Sequence, residues 1–196
     1  MWMDKICSPY WFWESTIPSF ICDEIIHAYK TQRKFSQGVI IKEGEQSLRK
    51  SDVIFSDEEW INAMLYGYIT SANYSNFNYE LSDFDKEPFQ FTRYRKGEYY
   101  GLHRDFCLAV DNEYHTRKLS ATLQLSDSDD YEGGDLLIDM SAYEDDFTDR
   151  NKQHTMNRCK GSIIVFDSRV PHQVTPVTKG IRYSLVKWVH GDKPLR

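Results

Sequence analysis

The chain has 196 residues and a formal net charge of −6, which suits one domain around one core and gives no general attraction to phosphate backbones. Hydrophobic residues make up 40% and charged residues 28%, as in ordinary globular proteins. The densest basic group, Arg33, Lys34, Lys42, Arg49 and Lys50, is diluted by Glu43 and Glu45, so no nucleic-acid partner is expected. Asp4, Lys5 and Glu14 interrupt the apolar N-terminal residues, so neither a secretory leader nor a membrane span is expected. Cys7, Cys22, Cys107 and Cys159 form no C-x-x-C pair. That speaks against zinc-ribbon and thioredoxin-like chemistry and fits a reducing, cytoplasmic setting.

The first third reads as helical. Ser19 can cap a segment that carries Ile21, Ile25, Ile26 and Tyr29 on one stripe. Ser56 and Glu59 make a capping-box pattern ahead of Trp60, Ala63, Met64, Gly67 and Tyr68. Helices are expected over about 20–31 and 57–72, with extended pieces around 38–41 and 52–55. From residue 88 the period changes. Pro88 to Tyr94, Leu119 to Leu125, Asp135 to Asp139, Gly161 to Phe166 and Arg182 to Val189 are short and rich in β-branched, aromatic and aliphatic residues. Turn material separates them, and Gly133-Gly134 suits a tight turn into the strand from Asp135.

No strand–helix alternation follows, so a parallel α/β sheet is not expected. The pattern is that of a mainly β sandwich or barrel with two N-terminal helices packed on one outer face. Residues 1–196 read as a single domain, with 1–87 as a helical support region and 88–191 as the β core. Residues 127–158 are acidic and turn-rich, and apart from 135–139 read as exposed loops.

His103-Arg104-Asp105 places an imidazole and a carboxylate two residues apart. On a strand that spacing puts both on one face, about 7 Å apart, close enough for adjacent corners of one metal. Alone it is a weak signal, because an aspartate-rich chain produces H-x-D by chance, and a surface hydrogen-bonded pair is the plain alternative. The kinase loop also begins H-R-D, but no glycine-rich loop, V-A-I-K lysine or D-F-G accompanies it. His172 follows 67 residues after Asp105, just past an expected strand. Two histidines and one carboxylate leave metal positions open, the arrangement of iron(II) oxygenases, although a lone His172 also fits a buried turn histidine. Arg182-Tyr183-Ser184 then offers a guanidinium and a hydroxyl on one strand face, suited to a carboxylate held bidentately. A rim arginine at a strand start is its plain alternative.

These residues together resemble the iron(II)/2-oxoglutarate-dependent oxygenases of the prolyl 4-hydroxylase type, and most of all the PKHD-type hydroxylases and their small phage relatives. The matching stretches are Phe91-Thr92-Arg93-Tyr94 through His103-Arg104-Asp105, Leu119 to Leu123, Asp130 to Leu136, Lys160-Gly161-Ser162, and His172 to Val177 through Arg182-Tyr183-Ser184. They cover most of residues 88–191 in the family's order; Arg49-Lys50-Ser51 resembles it more loosely.

The resemblance implies a double-stranded β-helix (jelly roll). It implies Fe(II) bound by His103, Asp105 and His172, with 2-oxoglutarate and O2 as co-substrates and ascorbate as accessory reductant. It implies that Arg182 anchors the distal carboxylate of 2-oxoglutarate with Ser184 as a helper, that Tyr94 lies near the co-substrate, and that Tyr100 lies near iron and substrate. Aromatic packing is the plain alternative for both tyrosines. Collagen-type prolyl hydroxylases carry lysine where Arg182 stands, so a collagen-like preference is not implied. The expected reaction is hydroxylation of a C–H bond, on a prolyl residue of a protein or peptide, with release of succinate and CO2. A hydroxylase of a free amino acid or other small metabolite is the alternative.

Overall fold

The structure, a computed structural model, describes residues 8–32, 34–40, 48–82, 87–106, 116–141 and 152–191. In chain order the elements are β1 (Tyr10–Trp13), α1 (Ser19–Gln32), β2 (Ser36–Ile40), β3 (Arg49–Ser56), α2 (Glu59–Ala72), β4 (Phe89–Arg95), β5 (Tyr99–His103), β6 (Thr116–Gln124), β7 (Tyr131–Gly133), β8 (Leu136–Asp139), β9 (Gln153–Thr155), β10 (Ile163–Asp167), β11 (His172–Val174) and β12 (Val177–Gly191). Cys7, Cys107, Arg33, Lys42, Glu43 and Glu45 lie outside the described residues, as do residues 142–151 of the acidic stretch.

The strands form one curled antiparallel sheet in the order β1-β10-β6-β12-β4-β3-β5-β11-β8-β9, with β2 added to β3 and β7 to β12. This is a jelly roll with helices on one face, as expected. β3 turns the corner: it pairs with β4 through Asp52 to Ser56 and with β5 through Arg49 and Lys50. The region read as helical support thus also gives three strands to the sheet. β1 extends it beside β10, where Tyr10 to Trp13 pair with Phe166 to Ile163.

Period two explains why the central strands are buried on both faces. One set of alternate residues, including Phe89, Phe91, Leu119, Leu123, Ile163 and Leu185, packs into a core with Ile25 and Tyr29 of α1 and Ile61, Leu65 and Ile69 of α2. The other set faces the inside of the roll, where Tyr94, Ile164 and Phe166 join Leu136, Ile138 and Val174. The same inner face carries buried polar residues: Gln90, Thr92, Ser120, Thr122, Gln124, Arg182 and Ser184. An aliphatic inner lining would have been simpler to bury, so these polar groups mark the inside of the roll as a working pocket.

Several local expectations shift. Ser19 is the first helical residue of α1, and the Pro18 carbonyl accepts from Ile21 N and Cys22 N instead. No capping box forms at α2. Ser56 ends β3, accepts the Tyr29 hydroxyl at 2.8 Å and the Glu58 amide at 3.4 Å, and the N-cap residue Glu58 makes no side-chain cap bond. The buried stripe of α2 is Ile61, Leu65, Ile69 and Ala72, next to the stripe expected from Trp60, and Trp60 is exposed. Met64 and Tyr68 of the expected stripe still pack, partly buried, against the core. The segment 127–158 is not only loop: β7 and β9 lie in it, and Tyr131 and Met156 are buried. Among the described residues no helix is long and apolar enough to cross a membrane.

Candidate active site

Strand order brings distant residues together. β5 and β11 are neighbours, and His103 and His172 are direct partners in their ladder. Each ring is turned by its own backbone. His103 Nδ1 donates to the Gly101 carbonyl at 2.8 Å, and His172 Nδ1 donates to the Val170 carbonyl at 2.9 Å. A carbonyl only accepts, so both protons sit on Nδ1 and both Nε2 lone pairs point to a common centre.

Asp105 reaches that centre by a different route from the one expected. β5 ends at His103, and residues 104–106 are outside any strand, so the two-residue strand period does not align His103 with Asp105. The carboxylate is instead held from β6, where Ser120 Oγ donates to Oδ2 at 2.8 Å. Its Oδ1 lies 3.5 Å from His103 Nε2, and its Oδ2 lies 3.4 Å from His172 Nε2. One ligand atom from each of the three residues falls within 4.8 Å of the others. Two imidazole nitrogens and a carboxylate oxygen converging in a buried place repel one another without a cation between them. The donor set fits a divalent metal of the iron type.

The electrostatics show how strongly the three groups are coupled. Burial alone would raise the Asp105 carboxyl, yet the facing imidazoles of His172 and His103 hold it well below the usual carboxylate range. Burial lowers His103, which favours the neutral, ligating form. For His172 burial works the same way, but the Asp105 charge outweighs it and raises the imidazole.

Tyr100 stacks on His103 with ring centroids 3.5 Å apart and planes 10° apart, and the Arg49 guanidinium lies 4.7 Å from the Tyr100 centroid. Phe166 meets His172 edge-on at 4.7 Å. The same pocket continues to Tyr94, Arg182 and Ser184. Arg182 is not a rim residue: it is 1% exposed, within a strand of 15 residues. Its Nη1 donates to Ser184 Oγ at 3.3 Å and its Nη2 to Gln124 Oε1 at 2.9 Å, while Nε has no partner. Among the described residues no carboxylate pairs with it. A buried guanidinium surrounded by neutral groups is costly unless a ligand supplies the anion.

Gly133 and Gly134 make the turn at φ +68 and +64. A Cβ at Gly133 would stand 2.2 Å from the Pro176 carbonyl, and one at Gly134 would stand 3.2 Å from Arg182 Cδ. Gly134 therefore also leaves room for the arginine.

All seven residues picked from the sequence line this one pocket. Sequence reasoning passed over Ser120, Gln124 and Trp188. The signal for the first two was present as Ser120-x-Thr122-x-Gln124, a polar period-two stripe inside an otherwise apolar strand.

The fold and the site together define a non-haem metal oxygenase architecture, and comparison with known proteins places it. The profile of the 2OG-Fe(II) oxygenase superfamily matches residues 89–190, just over half of the chain. The protein belongs to that superfamily. A PKHD-type hydroxylase of Shewanella sp. (strain ANA-3) is 38% identical over 103 residues, which cover 52% of this chain and 42% of the relative. The PKHD-type hydroxylase YbiX of Escherichia coli O1:K1 is 35% identical over 101 residues, covering 50% of this chain and 41% of the relative. The match thus spans less than half the length of these relatives. Among solved structures, a Pseudomonas putida prolyl-4-hydroxylase superposes with a TM-score of 0.69 at 19% identity, covering 94% of each chain. A prolyl hydroxylase from Trichoplax adhaerens, solved with a hypoxia-inducible-factor peptide fragment, gives 0.67 at 19% identity, covering 94% of this chain and 84% of that one. At such identities the likeness is one of fold.

Proposed function

We propose that the protein is an Fe(II)- and 2-oxoglutarate-dependent dioxygenase that hydroxylates a prolyl residue of a protein or peptide, releasing succinate and CO2. The observation that carries the co-substrate assignment is Arg182: a fully buried guanidinium without a carboxylate partner among the described residues, in the same pocket as His103, Asp105 and His172.

In this reading the two imidazoles and the Asp105 carboxylate hold the metal. Bound iron, with 2-oxoglutarate and O2, supplies the oxidising power. Arg182 and Ser184 take the distal carboxylate of the co-substrate, and Tyr94 stands beside them. Tyr100, stacked on His103, borders the space left for substrate. Leu136, Phe166 and Val174 keep the pocket apolar and exclude water. The prolyl assignment rests on the names of the PKHD-type and prolyl hydroxylase relatives, an argument by likeness. We read residues 1–196 as one catalytic domain. Cys22 is buried with its thiol raised to about 11, first by burial, and Cys159 is also free; both accord with a reducing compartment, which we take to be the cytoplasm.

Succinate release tests this. The iron-loaded protein, supplied with 2-oxoglutarate, O2 and ascorbate, is presented with X-Pro peptides and a metabolite panel. Coupling to an X-Pro peptide is expected. Coupling only to a free amino acid would remove the peptide assignment, and no 2-oxoglutarate-dependent succinate at all would remove the dioxygenase.

A further inference from the structure

One strand supports both ends of the pocket. β6 turns Ser120 and Gln124 to the inner face, and the two are 0% and 2% exposed. Ser120 Oγ donates to Asp105 Oδ2 at 2.8 Å and also contacts Ser168 Oγ at 2.9 Å. An ionised carboxylate only accepts, so the single Ser120 proton is committed to Asp105. Ser168 must then donate its own proton to Ser120. Ser168 is itself fixed, its amide donating to the Lys118 carbonyl at 3.0 Å and its carbonyl accepting the Phe106 amide at 2.9 Å. Asp105 belongs to no strand, so this hydroxyl pair is what aims its carboxylate.

Four residues along the same strand, Gln124 Oε1 accepts from Arg182 Nη2. That contact and the one to Ser184 fix the plane of the guanidinium. The remaining N–H groups, Nε among them, are left for a ligand. β6 pairs in register with β12, Ser184 opposite Gln124 and Trp188 opposite Ser120, so the strand cannot slide. The two supports are held about 13 Å apart along the backbone.

We propose that Ser120, relayed from Ser168, and Gln124 are paired positioning residues on one strand. The first aims the metal-binding carboxylate and the second aims the arginine, so that the spacing of the site is set for a 2-oxo dicarboxylic acid. The inference rests on the dioxygenase reading but assigns roles to residues that bind neither metal nor co-substrate directly.

Co(II) serves as the metal probe, 2-oxoglutarate as the ligand, and 2-oxobutanoate as the control that lacks the second carboxylate. Ser120→Ala should raise the Co(II) dissociation constant about 10–100-fold, the usual cost of losing a partner behind a metal ligand, and Ser120→Thr should restore it. Gln124→Met should leave Co(II) binding unchanged. On the Co(II)-loaded protein it should weaken 2-oxoglutarate about 10-fold, the worth of a hydrogen bond to a charged group, while 2-oxobutanoate binds as before. A role in folding alone would move both affinities together, so that outcome overturns the proposal. So does Co(II) binding at parental strength in Ser120→Ala, or equal weakening of the two 2-oxo acids in Gln124→Met. Melting of the metal-free variants reports folding. Should Ser120→Ala fail to fold, Ser168→Ala, which leaves the Ser120 hydroxyl in place, carries the same arm: weaker Co(II) binding supports the relay and parental binding overturns it. A parent protein that takes up no Co(II) defeats the metal-site reading itself, and with it this inference. A parent that binds Co(II) with variants that match it defeats the inference alone.

Discussion

His103 and His172 are direct cross-strand partners, with ring centroids 4.2 Å apart. Two nitrogens so placed, 3.5 and 3.4 Å from the Asp105 carboxylate, make a donor set that one divalent cation can share. Replacing either histidine by alanine should leave a site that cannot retain iron at ordinary concentrations. Iron content after dialysis and succinate release should both fall to background. Normal turnover by His172→Ala would sink the assignment. Because neutral imidazoles are the ligands, mild acid should also strip the metal, seen as loss of bound iron before the fold is lost.

Arg182 separates function from stability. Its charge is buried with no anion paired to it among the described residues, so the ligand-free protein bears its desolvation cost. Arg182→Met keeps the volume and removes the charge. The ligand-free variant is expected to melt no lower than the parent. Its 2-oxoglutarate requirement should rise by about 10–100-fold or more, as expected for lost charge-assisted hydrogen bonds. Thermal melting and the concentration dependence of succinate release check the two halves.

Much of this was legible in the sequence because period two is rigid. Arg182 and Ser184 do share a face, and the long apolar strands stand where composition places them. What was not legible depends on pairing between strands far apart in sequence. His172 meets His103 only because β11 docks on β5. Asp105 was paired with His103 by strand period, whereas the chain leaves the strand and a serine from β6 aims the carboxylate. The helix stripes were nearly right: Ile25 and Tyr29 are buried as expected, but in α2 the bulk of Trp60 drew the stripe one residue away from Ile61, Leu65 and Ile69. β1, β7, β9 and β11 have three or four residues each, too short to carry a period of their own.

The core between the helices and the sheet is pinned by Phe91, which is 0% exposed. It stacks on Tyr29 at 5.0 Å and meets Tyr183 at 5.6 Å. Phe91→Ala should open a cavity that three surrounding elements cannot collapse into, and should cost about 3–5 kcal/mol. Urea unfolding should show a lower midpoint with an unchanged slope. A loss below about 1 kcal/mol would mean that α1 repacks onto the sheet.

Glu87 ties the acid stability of the fold to the site. Burial would raise its carboxyl, but the hydrogen bonds from His190 and Arg117 bring it down from 4.5 to about 2. Arg117 Nη2 lies 2.6 Å from Oε1, and His190 Nε2 lies 2.8 Å from Oε2. A carboxyl depressed in the folded state stabilises above its unfolded pKa, and that contribution is lost as pH falls from about 4.5 towards 2. The shift corresponds to on the order of 3 kcal/mol, an upper value because the side chain is 27% exposed. Glu87→Gln should therefore be less stable than the parent at pH 7 and should lose less on acidification, so that the two stability curves approach each other near pH 2. Parallel curves from pH 7 to pH 2 would overturn the assignment. Arg117 also donates to the Asp105 carbonyl at 3.4 Å, so Glu87→Gln should additionally weaken Co(II) binding at pH 7.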